Sequence, residues 1–171
     1  CTLKWLNKQL ENIKSQNKTP LMALHHNLTD HNELLNKNYT IKDHQKIADL
    51  LQSYKVPFVL SGHIHCQNIK KINDIYDIAS SSLLDAPLQY GMIELDTQGM
   101  NYQTQSLKIT QDADEYFEQV TKHRFLERLA SITDQNTKES VLDVIARANR
   151  YYFAGTMSEH EEEIMKMPGY A

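Results

Sequence analysis

Little in the composition of this chain assigns it to a class. Only two of its 171 residues are cysteine, Cys1 and Cys66; that excludes a disulfide framework and leaves the redox compartment open. No apolar run approaches the ~18 residues of a membrane-spanning helix. No secretory leader pattern is present, and localisation stays unassigned. Cys1 opens straight into a helical pattern, as an interior start would, so the natural N-terminus is expected to lie upstream. Neither sign of charge dominates. With 18 Lys and Arg against 22 Asp and Glu, the formal net charge is −4, which provides no basic stripe for a nucleic-acid polymer and no polybasic patch for a membrane surface. There is no internal repeat and no low-complexity linker.

What is present points to a folded chain with a polar surface. Mean hydropathy is low, −0.58, yet the apolar residues fall in periodic clusters, unlike a disordered chain. The length supports one domain of ordinary size with a real core. Leu3, Leu6, Leu10 and Ile13 recur at helical spacing over 2–16, and Asn17 to Pro20 ends that helix. A short apolar strand, Leu21–Leu24, follows. Thr40-Ile41-Lys42-Asp43 resembles a capping box before a helix whose Ile47, Leu50, Leu51 and Tyr54 share a face. After Pro57 comes a second apolar strand, Phe58–Leu60. Helix, strand, helix, strand suits a parallel sheet with crossover helices. The pattern then changes. Residues 68–72 and 75–79 read as a hairpin about Asn73-Asp74. Tyr90–Leu95 and Tyr102–Leu107 read as two more strands, joined near Gly99. From about Asp112 the chain reads as helical, and Ser158 with Glu161 reads as a capping box for a short last helix that Pro168-Gly169 stops.

The stretch that organises the chain is Leu60-Ser61-Gly62-His63-Ile64-His65. A strand runs into a glycine and then offers two histidines one residue apart. If the backbone stays extended through Ile64, His63 and His65 point to one side. The first apolar strand likewise delivers His25-His26. Imidazole is the commonest neutral metal ligand near pH 7 and suits zinc, iron or manganese. Polar residues at the C-terminal ends of buried strands are how open α/β sheets form sites. A His-x-His pair alone is a weak signal; two such strand ends strengthen it. His44, His123 and His160 fall on helical surfaces with no assigned role, and Glu161-Glu162-Glu163 reads as a solvated helix start.

These motifs together resemble the calcineurin-like metallophosphoesterase superfamily, whose pattern runs Asp-x-His, Gly-Asp-x-x-Asp, Gly-Asn-His-Asp/Glu, a histidine after a strand, then Gly-His-x-His. The last two stand here as His25 and Gly62-His63-Ile64-His65. The hairpin at 68–79, Ala79-Ser80-Ser81-Ser82 and Tyr90-Gly91-Met92-Ile93-Glu94 resemble the usual end of that domain. With His-His-Asn-Leu-Thr-Asp-His-Asn, Ser-Gly-His-Ile-His and the appended helices, the chain looks most like the class III cyclic-nucleotide phosphodiesterases of Gram-positive bacteria.

The resemblance implies an α/β fold: the C-terminal half of a metallophosphoesterase β-sandwich flanked by helices over 1–110, and a small helical subdomain over 111–171. It implies a phosphohydrolase that cleaves phosphoesters, cyclic nucleotides among them, by a hydroxide activated at a dinuclear centre of iron, manganese or zinc. His25 and His63 would bind the second metal and His65 the first. His26 would face the substrate phosphate or only hold its loop. His31, with Asp30, would overhang the site or lie on a solvated loop. Asn27 stands where many members have proline. The three earlier motifs, which carry the bridging aspartate, the asparagine ligand and the histidine assisting the leaving group, do not precede His25. The chain is therefore expected to be inactive alone, to pair with the missing N-terminal half, and to self-associate without it. Two other readings stay open: a stand-alone metal-binding or interaction module, and a mononuclear zinc enzyme with His25, His63 and His65 around an open fourth position.

Overall fold

The computed structural model describes residues 2–32, 38–108 and 113–170. It is a mixed α/β structure with a small four-stranded sheet, a β-hairpin and C-terminal helices. The chain forms two compact units, residues 1–80 and 81–171. The boundary expected from sequence at 110/111 lies outside the described residues.

In the first unit, helix α1 (Thr2–Ser15) lays Leu6 and Leu10 on the core, as its periodicity requires. Asn17 ends it at φ 56°, with Asn17 N–H bonded to the Lys14 carbonyl and Lys18 N–H to that of Ile13. This is the double-bonded left-handed stop that suits Asn. Strand β1 (Met22–Ala23) pairs in parallel with β2 (Phe58–Ser61), and β2 in parallel with β4 (Ile75–Ala79). Strand β3 (Asn68–Ile72) pairs antiparallel with β4 through the turn at Asn73-Asp74, as the sequence indicates. The order is β1-β2-β4-β3.

Helix α2 (His44–Ser53) crosses between β1 and β2 and buries Ile47, Ala48 and Leu51. These meet Leu10, Leu28, Val56, Val59 and Ile75 in one core. The capping box expected at Thr40 does not form. Asp43 occupies the cap position at φ 58° with no side-chain cap bond, so tertiary packing rather than local capping starts this helix.

In the second unit, β5 (Gln89–Leu95) and β6 (Met100–Ser106) form an antiparallel pair. Asp96 shapes its turn by accepting from Gln98 N–H at 2.7 Å and Gly99 N–H at 2.9 Å. Tyr102 lies across Gly91, where a β-carbon would fall 2.5 Å from the phenol oxygen. Helix α3 (Ala113–Leu126) packs on α4 (Gln135–Ala154). Asp134 caps α4 through Thr137 N–H at 2.7 Å, and Gly155 ends it at φ 74°. Ion pairs knit this unit: Arg150 with Asp114 and Glu118, and Arg147 with Glu118 and Glu163. The Ser158–Glu161 capping box does not form. His160 stands at the cap of α5 (Glu161–Met165) without a side-chain cap bond. Its ring instead stacks on Tyr151 at 3.7 Å, and Tyr151 donates to Glu163.

Candidate functional site

The parallel pairing of β1 with β2 places two chain exits side by side. His25 follows the end of β1 and His63 the end of β2. The pairing continues past the strands, with Leu24 N–H bonded to the Leu60 carbonyl at 2.8 Å and Gly62 N–H to the His25 carbonyl at 3.2 Å. The histidines are therefore brought together by backbone register and not by a chance loop contact.

Their rings converge. His63 Nδ1 lies 3.0 Å from His25 Nε2. Ring centroids of His25 and His63 are 4.8 Å apart, those of His26 and His63 4.4 Å, and those of His25 and His26 5.3 Å. The Tyr39 ring lies 5.2 Å from that of His63; nothing in its sequence context marks it.

The backbone at the second exit is not extended, which corrects the alternation argument for His63 and His65. Ile64 N–H bonds back to the Gly62 carbonyl at 2.7 Å around His63, whose φ is 64°. This is a γ-turn of the positive-φ kind, rare and strained for a residue with a side chain. His65 also has positive φ, 56°. Ile64 between them is buried at 2% exposure, so it anchors the turn while both histidines stay accessible. Such strain concentrates where geometry matters to function.

Partial burial, then the like charges of His26 and His25, holds the His63 pKa below the ordinary imidazole value; His65 adds to this and a backbone hydrogen bond at Asn38 opposes it. This direction favours the neutral ring, which has a lone pair to offer. Cys66, next along, is buried and its thiol is pushed up to about 11, which makes it a packing residue and not a thiolate ligand.

Beneath the rings lies a buried polar network that sequence reading missed. Asp77, at 0% exposure on β4, accepts from Leu28 N–H and Thr29 N–H at 2.6 Å each and from Ser61 Oγ at 2.6 Å. His31 Nε2 is 3.1 Å from its Oδ2, and His31 Nδ1 is 3.0 Å from Asn68 Oδ1. His31 therefore neither overhangs the site nor lies on a solvated loop; it is a buried partner of Asp77. Burial alone would raise the Asp77 pKa. The hydrogen bonds from His31, Ser61 and Thr29 outweigh it and hold the carboxyl below its usual range.

The imidazoles suit a divalent ion in part. Two nitrogens on one tetrahedral zinc stand about 3.3 Å apart, given bonds of about 2.0–2.1 Å, and the His25–His63 separation of 3.0 Å is close to that. Asp77 is engaged by its own donors below and is not offered to an ion. Among the described residues, no group of three or more His, Cys, Asp or Glu is arranged to hold a metal ion.

Residues 95–171 match a family model described as the C-terminal domain of cyclic nucleotide phosphodiesterase. The match covers part of β5, all of β6 and the C-terminal helices, and it ends short of the histidine cluster. No curated protein matches the chain.

Proposed function

We propose that this chain is part of a metal-dependent phosphohydrolase of the calcineurin-like kind, acting on phosphoesters and on cyclic nucleotides in particular. The observation that carries this reading is the 3.0 Å approach of His63 Nδ1 to His25 Nε2 at the ends of adjacent parallel strands. The family match at 95–171 supports the substrate class. The sequence Gly62-His63-Ile64-His65 supports the superfamily and, with it, a β-sandwich of which the four-stranded sheet is one part.

In this reading His25 and His63 hold one ion and His65 a second, each iron, manganese or zinc. His26, exposed beside His63, faces the phosphate. Bound divalent ions would supply Lewis acidity toward a phosphoryl oxygen and a nucleophile at neutral pH. The chain's own residues give direction. The strained γ-turn aims His63, the Asp77 network fixes the backbone after His26, and the depressed His63 pKa keeps that ring unprotonated. The bridging carboxylate and remaining ligands come from a preceding segment of the same protein. That segment would lie beside β1, the edge strand next to exposed Leu21. Without it, the chain would self-associate.

The test is metal stoichiometry with activity. The chain alone should bind zinc or manganese weakly and hydrolyse neither bis(p-nitrophenyl) phosphate nor cyclic AMP above background. Supplying the preceding segment should restore both tight binding of two ions and turnover. One tightly held zinc, with hydrolysis by this chain alone, would replace the dinuclear reading by a mononuclear one. Failure of the complemented protein to turn over any phosphoester would end the enzyme reading.

A further inference from the structure

We infer that Asn27 is the positioning residue that sets the spacing of His25 and His63; its functional meaning, though not its geometry, rests on the metal-site reading above. Three chain segments meet around the imidazole cluster, and Asn27 is bonded to all of them. It belongs to the first, two residues after His25. Its Nδ2 donates to Ser61 Oγ at 2.8 Å and to the Gly62 carbonyl at 3.0 Å, in the segment that delivers His63. Its main-chain N–H donates to the Tyr39 carbonyl at 3.0 Å, and its carbonyl accepts from Ile41 N–H at 2.9 Å. That third segment carries the Tyr39 ring against His63.

The amide orientation follows from chemistry. The Gly62 carbonyl can only accept, and Ser61 Oγ gives its own proton to Asp77 Oδ1. Nδ2 must therefore face both, which leaves Asn27 Oδ1 buried with no partner among the described residues. Buried polar atoms without a partner are unfavourable and uncommon. A residue chosen for packing alone would not leave one. Asn27 is also 0% exposed, so it cannot act on a substrate directly. What it does is join the turn after β1 to the turn after β2, adding a second cross-link to the Gly62-to-His25 backbone bond. Two cross-links on a pair of strand exits fix their separation as one does not. This is how residues behind a ligand orient it.

The test uses the whole chain, isotope-labelled and free of metal. The first readout is the nitrogen–nitrogen correlation across the His63–His25 ring contact. The second is the affinity for cobalt(II) alone, followed by its visible spectrum. Asn27→Ala should abolish the correlation and weaken cobalt binding about 10–100-fold. Leu51→Ala, a core truncation on α2, serves as the control for lost stability and should keep both. Asn27→Ser, whose hydroxyl reaches one acceptor at most, should fall between. A folded Asn27→Ala with the correlation intact overturns the inference, as does loss of the correlation in folded Leu51→Ala. Should the Asn27 variants not fold, the coupling from the Asn27 side-chain N–H to the Gly62 carbonyl in the unaltered chain decides, and its absence overturns the inference. If the unaltered chain binds no cobalt, the metal reading fails on its own and the ring correlation still decides the role of Asn27.

Discussion

His31 Nε2 lies 3.1 Å from Asp77 Oδ2, with both side chains wholly shielded from solvent. The pair joins the loop after His25-His26 to β4, two strands away from the exit of β1. A carboxylate in that position is tolerated only because donors surround it: two backbone N–H groups, one hydroxyl and one imidazole. The same donors order residues 28–31, and so the apolar unit and the exposed histidines above it depend on one buried charge.

Removing that charge should be costly. Asp77→Ala leaves Leu28 N–H, Thr29 N–H and Ser61 Oγ without their acceptor and strands His31 in the interior. Breaking one side of a buried pair typically costs about 3–5 kcal/mol. Urea unfolding followed by circular dichroism should show the first unit destabilised by that order. Replacing both partners with apolar residues, as in His31→Leu with Asp77→Leu, should recover part of the loss, since no imidazole is then left buried without its partner. A single variant that loses less than about 1 kcal/mol would show the network to be water-accessible.

The network also sets an acid limit. The folded pKa of Asp77 lies below its unfolded value, which is about 3.9. Its contribution is therefore fully present above about pH 4 and is lost as pH falls through the lower, folded value. Stability of the 1–80 unit should fall below pH 4 with net proton uptake, and Asp77→Asn should flatten that part of the profile. A profile equally steep in the variant would assign the acid limit to other carboxylates.

How much of this was legible beforehand differs by element. The hairpin at 68–79 was legible because the turn pair Asn73-Asp74 separates two runs of strand length, and α1 because Leu6 and Leu10 repeat at helical spacing. The convergence of His25 with His63 followed from two apolar strands that each end in histidine. Asp77 was half legible. Alternation along Ile75-Tyr76-Asp77-Ile78-Ala79 puts it on the face of Ile75, inward, and an inward carboxylate needs partners. Which partners was not legible, because His31 is far away in sequence and its contact depends on the fold already being closed. Nor could the γ-turn at His63 be read, since nothing local demands a positive φ at a histidine. The absent capping boxes at Thr40 and Ser158 were not legible either: Asp43 takes the first cap position in a left-handed conformation, and His160, held by its stacking on Tyr151, takes the second.

At the other end of the chain, Gly169 supplies a test of the second unit. Its φ is 93°, and a β-carbon there would fall 2.6 Å from the Ser140 carbonyl carbon and 2.7 Å from Val141 N. Those are backbone atoms of α4, which cannot turn aside. Gly169→Ala should cost about 1–3 kcal/mol and free the last turn from α4. Faster hydrogen exchange over 161–170, with residues 2–32 unchanged, is the expected signature. Unchanged exchange would show that the turn relocates without loss.

The last prediction separates stability from function at His63. A histidine at φ 64° is held where a side chain costs roughly 1–2 kcal/mol and glycine costs nothing. Its ring contributes little to the core, because it is partly exposed and packs against other rings of the cluster and Tyr39, with a backbone hydrogen bond at Asn38. His63→Gly should therefore leave the free energy of urea unfolding unchanged or raise it by up to about 1 kcal/mol after the unfolded-chain entropy of glycine is counted. Cobalt(II) binding should fall by an order of magnitude or more, since one of the two converging nitrogens is gone. Lys55 provides the control. It sits at φ 57° at the end of α2, exposed, in the same kind of left-handed stop as Asn17. Lys55→Gly should give a similar gain with no change in cobalt affinity. Equal gains from both variants, with binding lost in one alone, would mean that the strain at Lys55 only ends a helix, whereas the strain at His63 aims a ligand. A large loss of stability in His63→Gly would instead make that imidazole a structural member of the turn and count against the metal reading.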